Sequence, residues 1–187
     1  VTISLNTLPT VYNTTGGGAY CSGTAGVHIG LSFSSVGVNY QLYRGATPVG
    51  SIIPGSNTSI DFGVFTTTGT YTVYATNATS GCAIKMLDSA VISVSPAPLP
   101  YILAASGSSY CAGSAGIQLL LSGSDINVDY QLLLGGLPFG APLPGSGTSL
   151  DFGFVTMPGM YSVIATDPVS ACSTTMSGYA PVVVTPL

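Results

Sequence analysis

Charge is what this sequence has least of. Two Lys or Arg, six Asp or Glu and one His leave charged side chains at 4% of 187 residues, where soluble domains carry roughly 25%. Two basic residues cannot neutralise a run of phosphates, so nucleic acid is excluded as a partner. Long apolar runs are missing as well. None approaches the roughly 18 residues that cross a bilayer, so no transmembrane segment is expected. The opening Val1-Thr2-Ile3-Ser4-Leu5 lacks the basic and apolar regions of a signal peptide, so the chain reads as mature or excised. There is no Trp, and no Cys-x-x-Cys pair exists to hold zinc with the single His. No metal and no cofactor is expected.

What is present points to a folded all-β protein. Hydrophobic residues make up 46% of the chain, enough to offset chain entropy. Gly 25 and Pro 13, with abundant Ser and Thr, favour short strands joined by tight turns. So little charge also leaves weak self-repulsion, which permits close packing between molecules.

A shift of about 90 residues superimposes the sequence on itself without a gap. Tyr20-Cys21 falls on Tyr110-Cys111, Tyr40-Gln41-Leu42 on Tyr130-Gln131-Leu132, Asp61-Phe62-Gly63 on Asp151-Phe152-Gly153, Tyr71 on Tyr161 and Cys82 on Cys172. About half of the positions between the cysteines are identical, so the two copies share one fold. A third, partial copy is present. Val1 to Leu5 resembles Ile92 to Pro96, and Val182-Val183-Val184-Thr185 takes the same place at the end. This assigns residues 1–7 to the terminal strand of a preceding or neighbouring unit, 8–97 to repeat 1 and 98–187 to repeat 2. Val1, Thr2, Ile3, Ser4 and Leu5 then form either the last strand of a longer array or an assembly strand that pairs with another molecule.

Within each copy the apolar period is two. Val27, Ile29, Leu31 and Phe33 alternate with His28, Gly30 and Ser32; further inward faces come from Val38, Tyr40 and Leu42, from Ile60 and Phe62, from Tyr71, Val73 and Ala75, and from Ala90, Ile92 and Val94. With a strand near Leu8 to Tyr12 and a short one near Val49 to Ile53, about seven strands per repeat are expected, the pattern of an Ig-like Greek-key β-sandwich. Such a small body has a marginal core. Equal spacing favours Cys21 with Cys82 and Cys111 with Cys172, one intradomain disulfide per repeat, each closing a loop of about sixty residues and each stabilising by about 4 kcal/mol. Disulfides imply an oxidising compartment.

Tyr-Cys-Ser/Ala-Gly near the start, Tyr-Gln-Leu on the third strand, Asp-Phe-Gly, and Gly-x-Tyr-x-Val-x-Ala-Thr followed by Cys82 or Cys172 resemble the Ig-like tandem repeats of large secreted surface proteins and adhesins of Bacteroidetes-type bacteria. The resemblance covers nearly the whole chain. It implies export by the type IX system and display at the cell surface. Antibody-type domains differ, because here the Cys follows the Tyr by eleven residues instead of two.

Candidate chemistry is sparse. His28 is matched by Gln118, so a base there would exist in one repeat only; Asp61 and Asp151 are shared and read as turn or hairpin residues. Asp125 and Asp129 are too few oxygens for calcium, and their counterparts are Ser35 and Asn39. No catalytic or cofactor-binding residue emerges. The better signal is on the outer face, where Tyr43 with Tyr74, and Leu133 with Ile164, form matched apolar pairs suited to lateral contact. Tyr43 and Tyr74 also suit stacking on a sugar. Ser89, in Asp88-Ser89-Ala90, resembles a bacterial O-glycosylation acceptor. The chain is therefore expected to be a non-enzymatic unit of an extracellular fibre or adhesin, with copies of itself or neighbouring repeats, or surface glycans, as partners. The alternative is a carbohydrate-binding module of a secreted enzyme.

Overall fold

A computed structural model describes residues 6–186. The segment expected as the terminal strand of a preceding unit or as an assembly strand, Val1 to Leu5, lies outside the described residues. The chain divides into two compact units, with the boundary between Ser95 and Pro96.

Unit 1 contains β1 (Thr14–Gly16), β2 (Gly18–Cys21), β3 (Val27–Leu31), β4 (Val38–Arg44), β5 (Thr47–Pro54), β6 (Ile60–Phe65), β7 (Gly69–Asn77), β8 (Ala83–Lys85) and β9 (Ala90–Ser95). One sheet has the order β1-β3-β6, and the facing sheet β2-β9-β7-β4-β5, with β8 also on β7. Unit 2 repeats this with β10 (Leu103–Ala105), β11 (Ser109–Cys111), β12 (Ile117–Leu121), β13 (Asp129–Leu134), β14 (Leu137–Pro138), β15 (Leu143–Pro144), β16 (Leu150–Val155), β17 (Gly159–Thr166), β18 (Ser173–Thr175) and β19 (Ala180–Thr185). Its sheets run β10-β12-β16 and β11-β19-β17-β13-β14. Each unit is an Ig-like β-sandwich.

More strands form than the seven expected, because broken pairs fill two strand positions in unit 1 and three in unit 2, where β14 and β15 together take the place of β5. At the start, β1 pairs antiparallel with β3, and β2 then pairs parallel with β9 in the other sheet. Gly16, Gly17 and Gly18 make the crossing, all at positive φ (85°, 78° and 127°), a region that disfavours side chains. Near the end, β8 pairs with one half of β7 and β9 with the other, around a kink at Asp88 (φ 60°). The strand expected at Leu8 to Tyr12 is not formed. Asn13 makes a parallel bridge to Leu87, and regular pairing begins at Thr14.

The two cores are built as the alternation requires. Ile29, Leu31, Val38, Tyr40, Leu42, Ile60, Tyr71, Val73, Ala75, Ala90 and Ile92 are buried in unit 1, joined by Met86. Two expected core residues are exposed. Phe33 lies beyond the end of β3 and packs its ring on Tyr12 at 5.4 Å, and Val94 lies where β9 has run past the start of β7.

Candidate functional site

The cysteines do not pair within repeats. Cys21 is level with Ser95, three residues past Ile92, which is itself level with Gly69 at the start of β7. Cys82 lies past the other end of β7, where its carbonyl accepts from the Asn77 amide at 2.9 Å. The nine residues of β7 between them span roughly 26 Å, whereas a disulfide needs Cα atoms about 4.4–6.8 Å apart. In unit 2, β17 separates Cys111, level with Thr185, from Cys172, whose carbonyl accepts from Asp167. The two expected intradomain bonds are thus excluded by strand length. Each sandwich instead carries one cysteine at a lower end (Cys21, Cys111) and one at an upper end (Cys82, Cys172). Cys82 and Cys111 are free thiols, and Cys21 and Cys172 are disulfide-bonded.

The upper turn that carries each second cysteine is braced by a side chain. Asn77 Oδ1 accepts from the Thr79 and Ser80 amides at 2.9 and 3.1 Å. Asp167 replaces it in unit 2, accepting from Val169 and Ser170, and these amides hold its carboxyl below the usual carboxylate range. At the lower end, the Thr24 hydroxyl donates to the Cys21 carbonyl at 2.8 Å and Ser114 does the same to Cys111 at 2.9 Å. Tyr20 and Tyr110 reach across to donate to the Thr66 and Thr156 carbonyls.

Most of the other repeated polar residues also brace backbone. The buried Tyr71 and Tyr161 donate to the Thr67 and Met157 carbonyls four residues upstream, at 2.8 and 2.9 Å, closing a tyrosine corner at the entry to β7 and β17. Gln41 and Gln131 of the Tyr-Gln-Leu motif donate to nearby carbonyls, Val49 of β5 at 2.9 Å across an irregular register and Phe139, just past β14, at 3.1 Å. Sequence reasoning passed over both roles, although a Gln shared between a core Tyr and a core Leu was a signal that its amide is used locally.

Asp61 and Asp151 stand in a β-bulge, more specific than the turn or hairpin expected. Ile29 pairs with Gly63 and Gly30 with Asp61, leaving Phe62 as the extra residue. Asp61 Oδ1 accepts from the Gly63 amide at 2.8 Å, and this bond lowers its carboxyl pKa. Gly63 (φ 102°) and Gly153 (φ 77°) supply the conformation that the bulge needs. His28 Nδ1 meets Asp61 Oδ2 at 2.9 Å with both side chains largely exposed, and Gln118 donates to Asp151 Oδ2 at 2.8 Å in the other unit. An amide thus performs the same contact, which assigns His28 a bracing role.

Asp125 is occupied rather than open. Its carboxylate accepts from the Tyr101 hydroxyl at 2.7 Å and the Leu99 amide at 2.8 Å. The bond to Asp125 pushes the Tyr101 pKa up to about 12. Among the described residues, no group of three His, Cys, Asp or Glu side chains could hold a metal.

The outer-face residues lie on paired strands, Tyr43 and Tyr74 on β4 and β7, Leu133 and Ile164 on β13 and β17. Tyr43 and Tyr74 meet edge to face, ring centroids 5.3 Å apart and planes at 74°, beside a depression of about 420 Å³ lined also by Gly45, Ala46, Thr76 and Ala83. Tyr74 is exposed and Tyr43 half-buried; Leu133 and Ile164, on neighbouring strands of unit 2, are both half-buried. Ser89 is exposed at the kink between β8 and β9.

No family model and no curated protein matches the chain. Among solved structures it is similar to murine CEACAM1b (14% identity, 89% of this chain and 96% of that one, TM-score 0.42). It is similar also to the fibronectin(III)-like modules of Clostridium thermocellum CbhA (17%, 91% and 90%, TM-score 0.44) and to the human OSCAR ligand-binding domain (17%, 95% and 100%, TM-score 0.38). The strand order places both units in the Ig-like class of β-sandwiches. Among the described residues no helix is long and apolar enough to cross a membrane.

Proposed function

We propose that this chain is a non-enzymatic structural or adhesive unit of an extracellular bacterial surface fibre, with copies of itself or further repeats as its partners. The observation that carries this reading is the placement of cysteines at opposite ends of each sandwich, where the two of one sandwich cannot bond to each other. Two further features agree with it. The polar side chains shared by the repeats are tied to backbone atoms, which favours stiffness over chemistry, and the low charge permits close packing of copies. The sequence resemblance to surface proteins of Bacteroidetes-type bacteria supports a place outside the cell, and Ser89 is a candidate acceptor for a solubilising sugar there. Strand pairing by Val1 to Leu5 is the noncovalent route to the same end-to-end arrangement. Electron microscopy of the full chain, concentrated under oxidising conditions, tests the reading. Filaments are expected, and a chain that stays monomeric at every concentration overturns it.

The Tyr43 and Tyr74 rings favour a second reading, a carbohydrate-binding module, since their exposed edges border an open depression. Calorimetric titration with soluble polysaccharides separates the two. Binding that is lost in a Tyr74→Ala variant supports the module.

A further inference from the structure

Resting on the fibre reading, we infer that Cys111 of one copy forms a disulfide with Cys82 of a second copy, so that the chain is a covalent, head-to-tail polymer. The argument starts from the two ends of the sandwich. A lower-end cysteine and an upper-end cysteine of one body cannot meet across the length of β7 or β17, so the two cysteines of one body are not partners of each other. Two cysteines, Cys21 from a lower end and Cys172 from an upper end, are already disulfide-bonded. What remains is again one of each kind. Cys111 is the repeat equivalent of Cys21 and Cys82 that of Cys172, and both are free. Cys82 and Cys111 thus form an unused pair, one thiol of each kind, that a second copy completes.

Both thiols are presented firmly. Cys82 closes the turn that Asn77 braces, and its amide donates to the Ser80 hydroxyl at 3.3 Å. Cys111 is exposed at the end of the β11–β19 ladder, with the Thr185 hydroxyl donating towards its Sγ at 3.8 Å. A copy joined through one of these thiols keeps the other for a further copy, so the bond propagates into a linear polymer when the rotation per step does not close a ring. The bond forms by exchange with an oxidised dithiol, either a small disulfide or an enzyme-borne one. The Cys111 thiolate attacks that disulfide and expels one thiolate. The Cys82 thiolate of the next copy then attacks the mixed disulfide at the Cys111 sulfur and expels the second. Two thiols lose two electrons and two protons, and the oxidant ends as two thiols.

The test uses the full chain with oxidised glutathione, quenched by alkylation and run on a non-reducing gel. Wild type is expected to give a ladder of dimers, trimers and higher species that collapses on reduction. Cys82→Ser alone and Cys111→Ser alone are each expected to remain monomeric, and an equal mixture of the two to give a dimer and nothing larger. Peptide mapping of that dimer should join the Cys111 peptide to the Cys82 peptide. Dimers from either variant alone would show like-with-like pairing and overturn the inference. So would a wild type in which Cys82 and Cys111 are joined within one chain. Filaments visible by microscopy in a sample that runs as monomer on the gel would also overturn it while leaving the fibre reading intact; absence of both filaments and ladder removes both.

Discussion

Replacing Tyr161 with Phe removes one atom and tests the tyrosine corner directly. The ring is fully buried and packs edge-on against Phe139 at 5.5 Å, and both features survive in the Phe variant. What is lost is the hydroxyl's bond to the Met157 carbonyl at 2.9 Å. Met157 is exposed, so water can reach that carbonyl, and the loss is the net value of one hydrogen bond, about 1 kcal/mol, instead of the larger penalty of a buried orphan. For a domain of this size 1 kcal/mol lowers the melting temperature by roughly 4–8 °C. Tyr161→Ala, which also empties the core, should cost about 3–5 kcal/mol. Scanning calorimetry of the full chain reads the shift, with hydrogen exchange of the Val163 amide to assign the transition to unit 2. Tyr71→Phe is the internal control, since its bond to Thr67 has the same geometry in unit 1. A Phe variant that melts like wild type in both units, or as badly as the Ala variant, would refute the account.

Four further outcomes are expected. Cys82→Ser should leave the stability of unit 1 within about 0.5 kcal/mol of wild type, against the loss of about 4 kcal/mol that an intradomain disulfide would impose; urea unfolding decides. Gly145→Ala should destabilise unit 2 by at least about 2 kcal/mol, because the added Cβ would overlap the Asp125 carbonyl oxygen, and an unchanged denaturation midpoint would contradict this. Asp61 and Asp167 have lowered folded pKa values, so the stability that they contribute is present above about pH 4 and is lost as the pH falls through those folded values; a melting temperature that rose on acidification from about pH 5 to pH 2 would count against it. His28→Gln should melt like wild type, because Gln118 already makes the equivalent contact in unit 2.

The sandwich was legible because burial imposes alternation, and residues such as Ile29, Tyr40 and Val73 carry that period in plain sight. Phe33 and Val94 continue the same period beyond the point where a facing strand exists, and alternation alone cannot say where the facing strand stops. The cysteine pairing was misread for a different reason. Equal spacing in a tandem repeat is produced by bonding within repeats and equally by bonding between the ends of successive ones. What separates the two is strand position, and a clue was available in the eleven residues from Tyr71 to Cys82, enough to traverse the strand and leave it at the far end. The Asp-Phe-Gly motif was visible as a shared carboxylate beside a glycine, but its bulge depends on the register with β3, which is a long-range property.

The parallel ladders at the edge of each unit have a mechanical consequence. β2 and β9 run in the same direction from Gly18↔Ile92 to Cys21↔Ser95, and β11 and β19 from Ser109↔Val183 to Cys111↔Thr185. Tension that enters before the first strand of such a pair and leaves after the second drags the two past each other along their length. The ladder is then loaded in shear, with its bonds strained together, whereas an antiparallel hairpin pulled at its open end unzips one bond at a time. With the cysteines reduced, a single-molecule pulling experiment should record two sharp rupture peaks of similar height, one for each unit, and a low sloping plateau would show that the strands peel instead.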